Sequence, residues 1–381
     1  MLRTKPIKVL ITGANGFVGR NLQLRLRERC DVQVVCYNRN QHTGQLAELL
    51  EEVNFVFHLA GINRSQYPSE FVTGNTNLTR DLCLAVAVAA RSADRLIPIL
   101  YTSSTQAAQD NAYGRSKRDA EDALVVTGQD PLVPVHVLRL PNLFGKWSRP
   151  NYNSVVATFC HNIARDLPIQ INDPQAKLTL VYIDDLLDHF VKLMDGEARM
   201  AGSDGFATVQ PQYTTTVGDL AQLIRKFRDS RRSLVIERVG TSLVRALYAT
   251  YVSYLPEEAF AYDVQQHTDQ RGVFVEILKT PDCGQFSFFT AYPGVTRGGH
   301  YHHSKTEKFL VIKGQALFRF RHMQTGQTHE LQTSGDRPQV VETVPGWTHD
   351  ITNTGPEEIV VMLWANEIFD RTHPDTYDCP L

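Results

Sequence analysis

The sequence predicts an α/β, doubly wound domain followed by an all-β domain. Near the start of the chain, a buried strand runs into closely spaced glycines and then into a helix, and strand and helix patterns go on alternating. Later in the chain the pattern changes to short strands separated by Gly, Pro and polar turns. The 381 residues exceed what one core usually supports. We therefore expect two domains, at residues 1–245 and 262–381.

Composition argues against several classes of protein. Hydrophobic residues make up 42% and charged residues 21%, and the formal net charge is −2. This balance offers no basic excess for nucleic acid and no polybasic tail for an anionic membrane. The apolar run at residues 82–90 is far shorter than the ~20 residues of a membrane span. The N-terminal stretch lacks the apolar core of a secretory signal. We expect a cytoplasmic protein whose six cysteines are free thiols.

The glycines after the first strand form a dinucleotide-binding pattern. IKVLITG ends at a glycine, and two more follow at GxxGxxG spacing before an apolar-periodic helix. Glycines let the backbone approach a pyrophosphate, and the helix N-terminus offers free N–H groups and a positive dipole end. A plain βα turn is the alternative. The residues of this turn that we expect to bind the cofactor are Gly13, Asn15, Gly16, Phe17, Val18 and Gly19.

The end of the second strand favours NADPH as the cofactor. VQVVCYNRN ends in Asn38, Arg39 and Asn40, where NAD-preferring sites usually place Asp or Glu for the ribose 2′-hydroxyl. An arginine would pair with a 2′-phosphate, so we expect Arg39 to contact it, with a solvated surface arginine as the alternative. Two further cofactor contacts are expected near the ends of later strands, at Ala60 and Leu140.

A tyrosine and a lysine at YxxxK spacing follow a hydroxyl-rich strand end. The strand ILYTSST includes Ser103 and Ser104, and Tyr113 and Lys117 share one face of the helix predicted next. A lysine beside a tyrosine lowers the pKa of the phenol, which would make it a general acid/base for a carbonyl or an alcohol. A lone YxxxK is a weak signal, but after a dinucleotide loop and a hydroxyl-rich strand end it is a strong one.

The motifs TGANGFVG, HLAG, SST…YGRSK and LRLPNLFG resemble the extended short-chain dehydrogenase/reductase family, which acts mainly on nucleotide-sugars. The resemblance covers roughly residues 7–240 and implies a Rossmann domain. It implies that Ser104, Tyr113 and Lys117 are catalytic. It also implies three substrate-binding residues, namely Asn142, Asn153 and Arg165. The chain departs from the family pattern in QAAQDNA, which replaces the common VYG start before the tyrosine.

Three histidines fall within four positions of the stretch GGHYHHSKTEKF. His300 and His302 would share one face of a strand, whereas His303 should face away. Glu307 on the next strand and His349 on a distant one could reach the same face. Three imidazoles and a carboxylate suit zinc, with iron and manganese as alternatives. A surface histidine pair without a metal is the other interpretation.

The spacing of these residues resembles the cupin superfamily, which implies a jelly-roll domain. GVTRGGHYHHSKTEKFLVIKG corresponds to its first motif and PGWTHDITN to its second. The stretch DQRGVFVEILKT and the first motif are also similar to the nucleotide-linked 4-keto-6-deoxysugar epimerases. That resemblance implies that Arg297 binds substrate, His300 abstracts a proton and Lys308 stabilises the enolate. Because those epimerases work without metal, His300 has two candidate roles.

Over nearly all 381 residues, the combination resembles the bifunctional capsule-sugar enzymes of the CapF type. The resemblance implies that the barrel inverts C3 of a UDP-4-keto-6-deoxy-N-acetylhexosamine and that the Rossmann domain reduces C4 with NADPH. The product would be UDP-N-acetyl-6-deoxy-L-talosamine, on the route to N-acetyl-L-fucosamine of bacterial capsule or O-antigen. The residues alone support an NADP-dependent sugar-nucleotide reductase with a metal-binding β-barrel.

Two alternatives to this interpretation remain open at the level of sequence. One is a dehydratase or epimerase that holds NAD tightly, although Arg39 argues mildly against it. The other is a barrel that only binds sugar or mediates dimerisation, with the metal in a structural role. A homodimer is expected because both parent folds often pair.

Overall fold

The computed structural model describes residues 5–197, 206–269, 272–275, 278, 284–367 and 372–381. The chain forms two compact units. The first comprises Met1–Leu143 and Thr179–Gln212, and the second comprises Phe144–Leu178 and Tyr213–Leu381. The second unit therefore contains the β-rich part of the chain together with two segments that precede it.

The first unit is built on a parallel sheet. The strands up to residue 216 are β1 (Ile7–Thr12), β2 (Val32–Tyr37), β3 (Phe55–His58), β4 (Ile99–Ser104), β5 (Val135–Leu140), β6 (Asn142–Phe144), β7 (Lys177–Tyr182), β8 (Phe206–Ala207) and β9 (Tyr213–Thr216). Six of them pair in the order β2-β1-β3-β4-β5-β8, and all these pairs are parallel. Strands β1 and β3 are buried almost throughout, which agrees with their continuous apolar sequence.

Helices connect the parallel strands and continue into the second unit. They are α1 (Phe17–Arg27), α2 (Leu46–Leu49), α3 (Pro68–Phe71), α4 (Leu78–Ser92), α5 (Ala112–Thr127), α6 (Val155–Ile163), α7 (Ile183–Met194), α8 (Val217–Ser233) and α9 (Ser242–Val252). Helix α4 buries Leu82, Val86 and Ala90 at helical spacing in a core cluster that includes Val56 and Ile99 of the sheet. No helix in the described ranges is both long and apolar enough to cross a membrane.

The strand order of the first unit creates a crevice at one edge of the sheet. Strand β1 lies between β2 and β3, so the connections that leave β1 and β3 diverge. In open parallel sheets, ligands bind outside the carboxyl ends of the strands at such a switch point. The turn after β1, the turn after β3 and the end of β4 all belong to this edge. The fold therefore places the predicted cofactor-binding turns together.

The second unit contains an antiparallel jelly roll. Its strands are β10 (Ala261–Asp263), β11 (Gln266–Asp269), β12 (Gly272–Val275), β13 (Gln285–Ala291), β14 (Thr296–Tyr301), β15 (Glu307–Lys313), β16 (Gln315–His322), β17 (Thr328–Ser334), β18 (Gln339–Glu342), β19 (Trp347–Asn353), β20 (Ile359–Ala365) and β21 (Tyr377–Asp378). Two five-stranded sheets have the orders β10-β18-β15-β20-β13 and β17-β16-β19-β14-β21. The predicted fold class is confirmed. The predicted strand FVEILKT begins in β12, but most of it lies outside the described residues.

Segments that precede the jelly roll pack against its residues within the second unit. The ring of Trp147 lies 5.8 Å from that of His322 on β16. Phe260, just before β10, makes edge contacts with Phe320 and Trp347 at 5.5 and 5.2 Å between ring centroids. These contacts give the β-rich part of the chain and the segments before it a shared core.

Candidate functional site

The glycine turn after β1 packs against the turn after β3. Gly13 has a φ of +68°, and a Cβ there would lie 2.7 Å from both the backbone N and the Cα of Ala60. A Cβ on Gly19 would meet the Gly13 carbonyl oxygen even more closely. In the described part of the chain, no side chain caps α1, and its first turn carries no acidic residue. The N–H groups at the start of α1 therefore remain available to an anion, and the turn fits a pyrophosphate.

The other predicted cofactor contacts of the turn and of β2 are accessible. Asn15 is exposed at the tip of the turn, and Phe17 and Val18 are half-buried at the start of α1. Arg39 lies two residues beyond β2 and is exposed. Among the described residues, no carboxylate forms an ion pair with it. A guanidinium in this position is available to an incoming phosphate.

The three predicted catalytic residues come together at the end of β4. Ser104 is the last residue of β4, and its hydroxyl is close enough to the Tyr113 phenol to lower the pKa of that group. Tyr113 is the second residue of α5, and Lys117 follows one turn later. The Lys117 ammonium donates to the Tyr101 hydroxyl and to the Thr102 carbonyl, both at 3.1 Å. The arrangement places a phenol, a hydroxyl and a cation around one strand end.

Burial sets the protonation of Tyr113 and Lys117. Burial raises the pKa of Tyr113, and the Ser104 hydroxyl only partly opposes the rise. Burial lowers the pKa of Lys117 to about 8, against the opposing charge of Glu121. The expectation that Lys117 lowers the pKa of Tyr113 is therefore wrong in this structure, because the ammonium is directed to Tyr101 and Thr102. A protonated phenol at neutral pH suits a proton donor.

Ser103 points into a different network from Ser104. Its hydroxyl donates to a Glu121 carboxylate oxygen at 2.5 Å, and Arg139 holds both oxygens of that carboxylate at 3.0 and 2.6 Å. Strand alternation explains why adjacent serines face opposite sides of the sheet. Leu140 pairs in register with Ser104 and is buried at the end of β5. Of the two serines, the structure therefore brings Ser104 to Tyr113.

Asn75 supports the start of α5, and sequence reasoning did not identify it. It lies in a π-helical segment, Val72–Asn77, and is almost completely buried. Its amide nitrogen donates to the Ser116 hydroxyl and to the Ile62 carbonyl, both at 2.9 Å, and its amide oxygen accepts the Ile62 N–H at 2.8 Å. No periodic pattern marks a π-helical segment, so the sequence held no signal for this contact.

The predicted substrate-binding residues are divided between the two units. Asn142 is exposed two residues beyond β5 in the first unit. Asn153 and Arg165 belong to the second unit, where both are exposed. The Arg165 guanidinium donates to the Tyr254 carbonyl oxygen at 2.7 Å.

Four side chains converge inside the jelly roll as a candidate metal centre. One ligand atom from each of His300, His302, Glu307 and His349 lies within 4.8 Å of the others. The three imidazole centroids are 5.0 to 5.2 Å apart. Neither ring nitrogen of the buried His349 has a hydrogen-bond partner in the described structure. Orphaned imidazole nitrogens beside a buried carboxylate fit a divalent metal such as zinc.

Electrostatics favour the ligand-binding forms of His300 and Glu307. Burial and the neighbouring His349 and His302 lower the pKa of His300 to about 3. Burial would raise the pKa of Glu307, but the adjacent histidines outweigh it and hold the pKa well below its ordinary value. Neutral imidazoles and an ionised carboxylate are the forms that bind metal. His303 instead contacts the rings of Tyr301 and Tyr377, at 5.6 and 5.0 Å between ring centroids, and is not one of the four clustered residues.

A cavity of about 210 Å³ opens onto the candidate metal ligands. His300, Glu307 and His349 line it, and Arg297 lies at its exposed side. The Arg297 guanidinium lies 5.4 Å from the centre of the Phe289 ring. The rest of the wall is largely apolar and includes Phe289, Phe309, Phe318, Ile351 and Leu363. A cation and the cluster thus share one small cavity.

Lys308 is not part of this cavity, so the structure corrects its predicted place. It neighbours Glu307 in β15, and adjacent strand residues face opposite sides of a sheet. Its ammonium forms an ion pair with the buried Glu342 carboxylate and donates to the Tyr262 hydroxyl at 3.1 Å. Burial would lower the pKa of Lys308, but Glu342 outweighs it and raises the pKa. Arg231 of α8 also contacts Glu342.

We expect Glu342→Ala to destabilise the protein by about 3–5 kcal/mol, because Lys308 and Arg231 would lose their shared buried carboxylate. The exposed pair Lys313–Glu357, at 3.2 Å, provides the control. Glu357→Ala should change the free energy of unfolding by about 0–1 kcal/mol. Urea unfolding at pH 7 measures both. Equal effects of the two substitutions would contradict the structural role of Glu342.

The Rossmann-type sheet with Ser104, Tyr113 and Lys117, together with a jelly roll that carries a candidate metal centre, defines a fused enzyme of the short-chain dehydrogenase class. The chain matches the NAD dependent epimerase/dehydratase family over residues 9–204 and the polysaccharide biosynthesis C-terminal domain over residues 267–377. It therefore belongs to the NAD dependent epimerase/dehydratase family, as a fused protein of the CapF type.

Two individual proteins match this chain over nearly its whole length, and a third matches part of it. A UDP-2-acetamido-2,6-beta-L-arabino-hexul-4-ose reductase of Pseudomonas aeruginosa is 61% identical over 98% of both chains. The crystal structure of the capsular polysaccharide assembling protein CapF of Staphylococcus aureus is 38% identical, covers 98% of this chain and 100% of its own, and gives a TM-score of 0.66. A Bacillus cereus UDP-glucuronic acid 4-epimerase in complex with NAD, at 19% identity, 58% and 82% coverage and a TM-score of 0.51, shares the fold alone.

Proposed function

We propose that this chain is a bifunctional sugar-nucleotide enzyme. Its barrel, at residues 262–381, inverts C3 of a UDP-4-keto-6-deoxy-N-acetylhexosamine, and its Rossmann domain, at residues 1–245, reduces C4 with NADPH. The product is UDP-N-acetyl-6-deoxy-L-talosamine, for N-acetyl-L-fucosamine of bacterial capsule or O-antigen. The observation that carries the proposal is that one chain contains two separate groups of reactive side chains, one around Tyr113 and one at the candidate metal centre. The reductase name of the 61% identical relative supports the 4-ketosugar substrate.

In the proposed reduction, bound NADPH would supply the hydride for C4 of the ketosugar. The Tyr113 phenol gives its proton to the C4 oxygen, and the Ser104 hydroxyl, within reach of that phenol, holds the same oxygen. Lys117 stays largely protonated below a pKa of about 8, and its ammonium holds the Tyr101 hydroxyl and the Thr102 carbonyl at the strand end that carries Ser104. The three side chains proposed for this step, Ser104, Tyr113 and Lys117, lie at the end of β4 and in the first two turns of α5.

In the proposed epimerisation, a base removes the C3 proton, and the proton returns on the opposite face of the sugar. The proton next to the C4 ketone becomes acidic when the enolate oxygen is stabilised. A zinc ion held by His300, His302, Glu307 and His349 would supply positive charge for that oxygen. Arg297 adds a second positive charge in the same cavity.

His300 can serve as a metal ligand or as the base, and the two roles predict different results. If His300 is a ligand, the His300→Ala protein should lose zinc. If His300 is the base, the variant should keep zinc and lose proton exchange at C3. Zinc content per chain therefore separates the two roles.

The test of the proposed function is NADPH oxidation with the UDP-4-ketosugar in D₂O, followed by NMR of the product. We expect one deuterium at C3 and the L-talo configuration. His300→Ala should abolish the exchange but still reduce pre-epimerised ketosugar. Reduction without deuterium at C3 would reject the epimerase and favour a single-activity reductase whose barrel only binds sugar or mediates dimerisation. A homodimer is part of the proposal, and sedimentation measures it.

Arg39 should determine the preference for NADPH. Arg39 is exposed beyond β2, and a bidentate arginine contact with a 2′-phosphate is worth about 1.5–3 kcal/mol. We expect Arg39→Ala to raise KM for NADPH about 10- to 100-fold, a range set by the same energy. KM for NADH provides the internal control and should not change. An equal rise for both cofactors would show that Arg39 does not read the 2′-phosphate.

A further inference from the structure

The last residues of the chain run along the candidate metal centre. We call residues 374–380 the C-terminal strap. Its strand β21 pairs with β14, with Asp378 opposite His300. The Cys379 N–H donates to the Gly299 carbonyl oxygen at 2.7 Å. The Thr348 hydroxyl donates to the Cys379 carbonyl oxygen at 2.5 Å, next to His349. The strap therefore contacts the backbone on both sides of the cluster.

Asp375 of the strap fixes the orientation of His302. The Asp375 carbonyl oxygen lies 2.7 Å from Nδ1 of His302. A carbonyl oxygen can only accept, so Nδ1 carries a proton, and Nε2 is the ring nitrogen left for a metal. Nε2 is the atom that lies 3.1 Å from a carboxylate oxygen of Glu307. The contact therefore selects the tautomer that can bind a metal through Nε2.

The side chain of Asp375 holds the turn that joins His302 to Glu307. Its carboxylate accepts the N–H groups of His303, Ser304 and Lys305 at 2.9, 2.9 and 2.7 Å and the Ser304 hydroxyl at 3.1 Å. Three successive backbone N–H groups directed at one point form a concave anion site. Here a carboxylate of the same chain fills that site, 70 residues further along.

Lys305 also links the turn after His302 to the C-terminal strap. Its ammonium donates to the Pro374 carbonyl oxygen at 3.2 Å and to the Thr376 hydroxyl at 2.5 Å. The turn and the strap thus contact each other through backbone and side-chain groups on both sides of Asp375. Both ligands that flank the turn, His302 and Glu307, depend on its conformation.

We propose that Asp375 is a positioning residue of the metal centre, which presents His302 and Glu307 to the ion without binding it. The inference rests on the proposed metal centre, so the experiment must first establish metal binding. Outer-shell partners of this kind typically change metal affinity 10- to 100-fold. Removing the Asp375 charge should therefore weaken zinc binding while every ligand stays in the chain.

The test measures zinc affinity of the full-length protein by competition with a chromogenic chelator. Asp375→Asn keeps the backbone carbonyl but replaces one acceptor oxygen with an N–H₂ group, which faces N–H donors. We expect about 10- to 100-fold weaker binding. Asp378→Asn is the matched control, because Asp378 is exposed on the same strap. It should bind zinc like the wild-type protein.

Melting temperatures with and without zinc separate positioning from general stabilisation. If Asp375 positions ligands, Asp375→Asn should shrink the rise in Tm that zinc produces. If Asp375 only stabilises the fold, both melting temperatures should fall equally and zinc affinity should not change, which would overturn the inference. A wild-type protein that binds no zinc would reject the metal centre itself.

Thr376→Val is a milder second variant in case Asp375→Asn does not fold. It removes the hydroxyl that accepts from Lys305 and nearly preserves the volume of the side chain. We expect zinc to leave this variant several-fold faster in excess chelator. An unchanged rate would count against the strap as the support of the ligands.

Discussion

Replacing Tyr113 by Phe should reduce kcat for NADPH oxidation with the UDP-4-ketosugar about 10²- to 10⁴-fold, because a positioned proton donor contributes a factor of this size. The substitution removes one hydroxyl and keeps the ring, which contacts Phe71 edge-on at 5.7 Å. Deuterium exchange at C3 should continue at the wild-type rate, because we propose that it takes place in the barrel. Stopped-flow absorbance and NMR of the same sample measure the two activities separately.

Tyr67→Phe is the matched control for this experiment. Tyr67 belongs to the same unit and is 65% exposed, so the loss of its hydroxyl should leave NADPH oxidation unchanged. If the Tyr113→Phe protein still oxidises NADPH within tenfold of the wild type, the assignment of Tyr113 as the proton donor is wrong.

Glu307→Gln should abolish both zinc binding and deuterium exchange at C3. Glu307 supplies the one negative charge of the four-residue cluster, and an amide of nearly the same size is a much weaker ligand for zinc. The zinc content should fall from about one ion per chain to a trace, because the centre has lost a ligand. Reduction of pre-epimerised ketosugar should continue.

His373→Ala controls for the general loss of a histidine near the barrel. His373 is exposed and stands outside the cluster, so the variant should keep its zinc and its exchange activity. If Glu307→Gln retained full exchange after removal of all metal, the barrel would work as the metal-independent epimerases do. The enolate would then depend on Arg297.

The parts of the site that the sequence predicted are those whose residues are close together in the chain. Gly13 and Gly16 lie on the turn before α1 and Gly19 in the first turn of that helix, and Tyr113 and Lys117 lie one helical turn apart. The prediction of the metal ligands depends on strand alternation and on one distant motif, PGWTHDITN, which contains His349. Lys308 is adjacent to Glu307, and adjacent residues of a strand face opposite sides of a sheet. The sequence alone was therefore enough to exclude Lys308 from the cavity.

The remaining features depend on contacts that no spacing encodes. Asp375 reaches the turn after His302 from more than 70 residues away, and no periodic pattern links the two. The direction of the Lys117 ammonium depends on Tyr101 and Thr102, which belong to a different element. Burial raises the pKa of Tyr113, and the YxxxK motif alone does not show how deeply the phenol is buried.

The shared core of the second unit limits how the gene for this protein could be divided. A gene split between codons 245 and 262 would place Arg231 on one polypeptide and its buried partner Glu342 on the other. The ring of Trp147 would likewise be separated from His322. Each product would expose surface that the intact chain buries, so we expect the two halves to aggregate unless they are made together. Fusion therefore keeps together the buried contacts that complete the folding of the second unit.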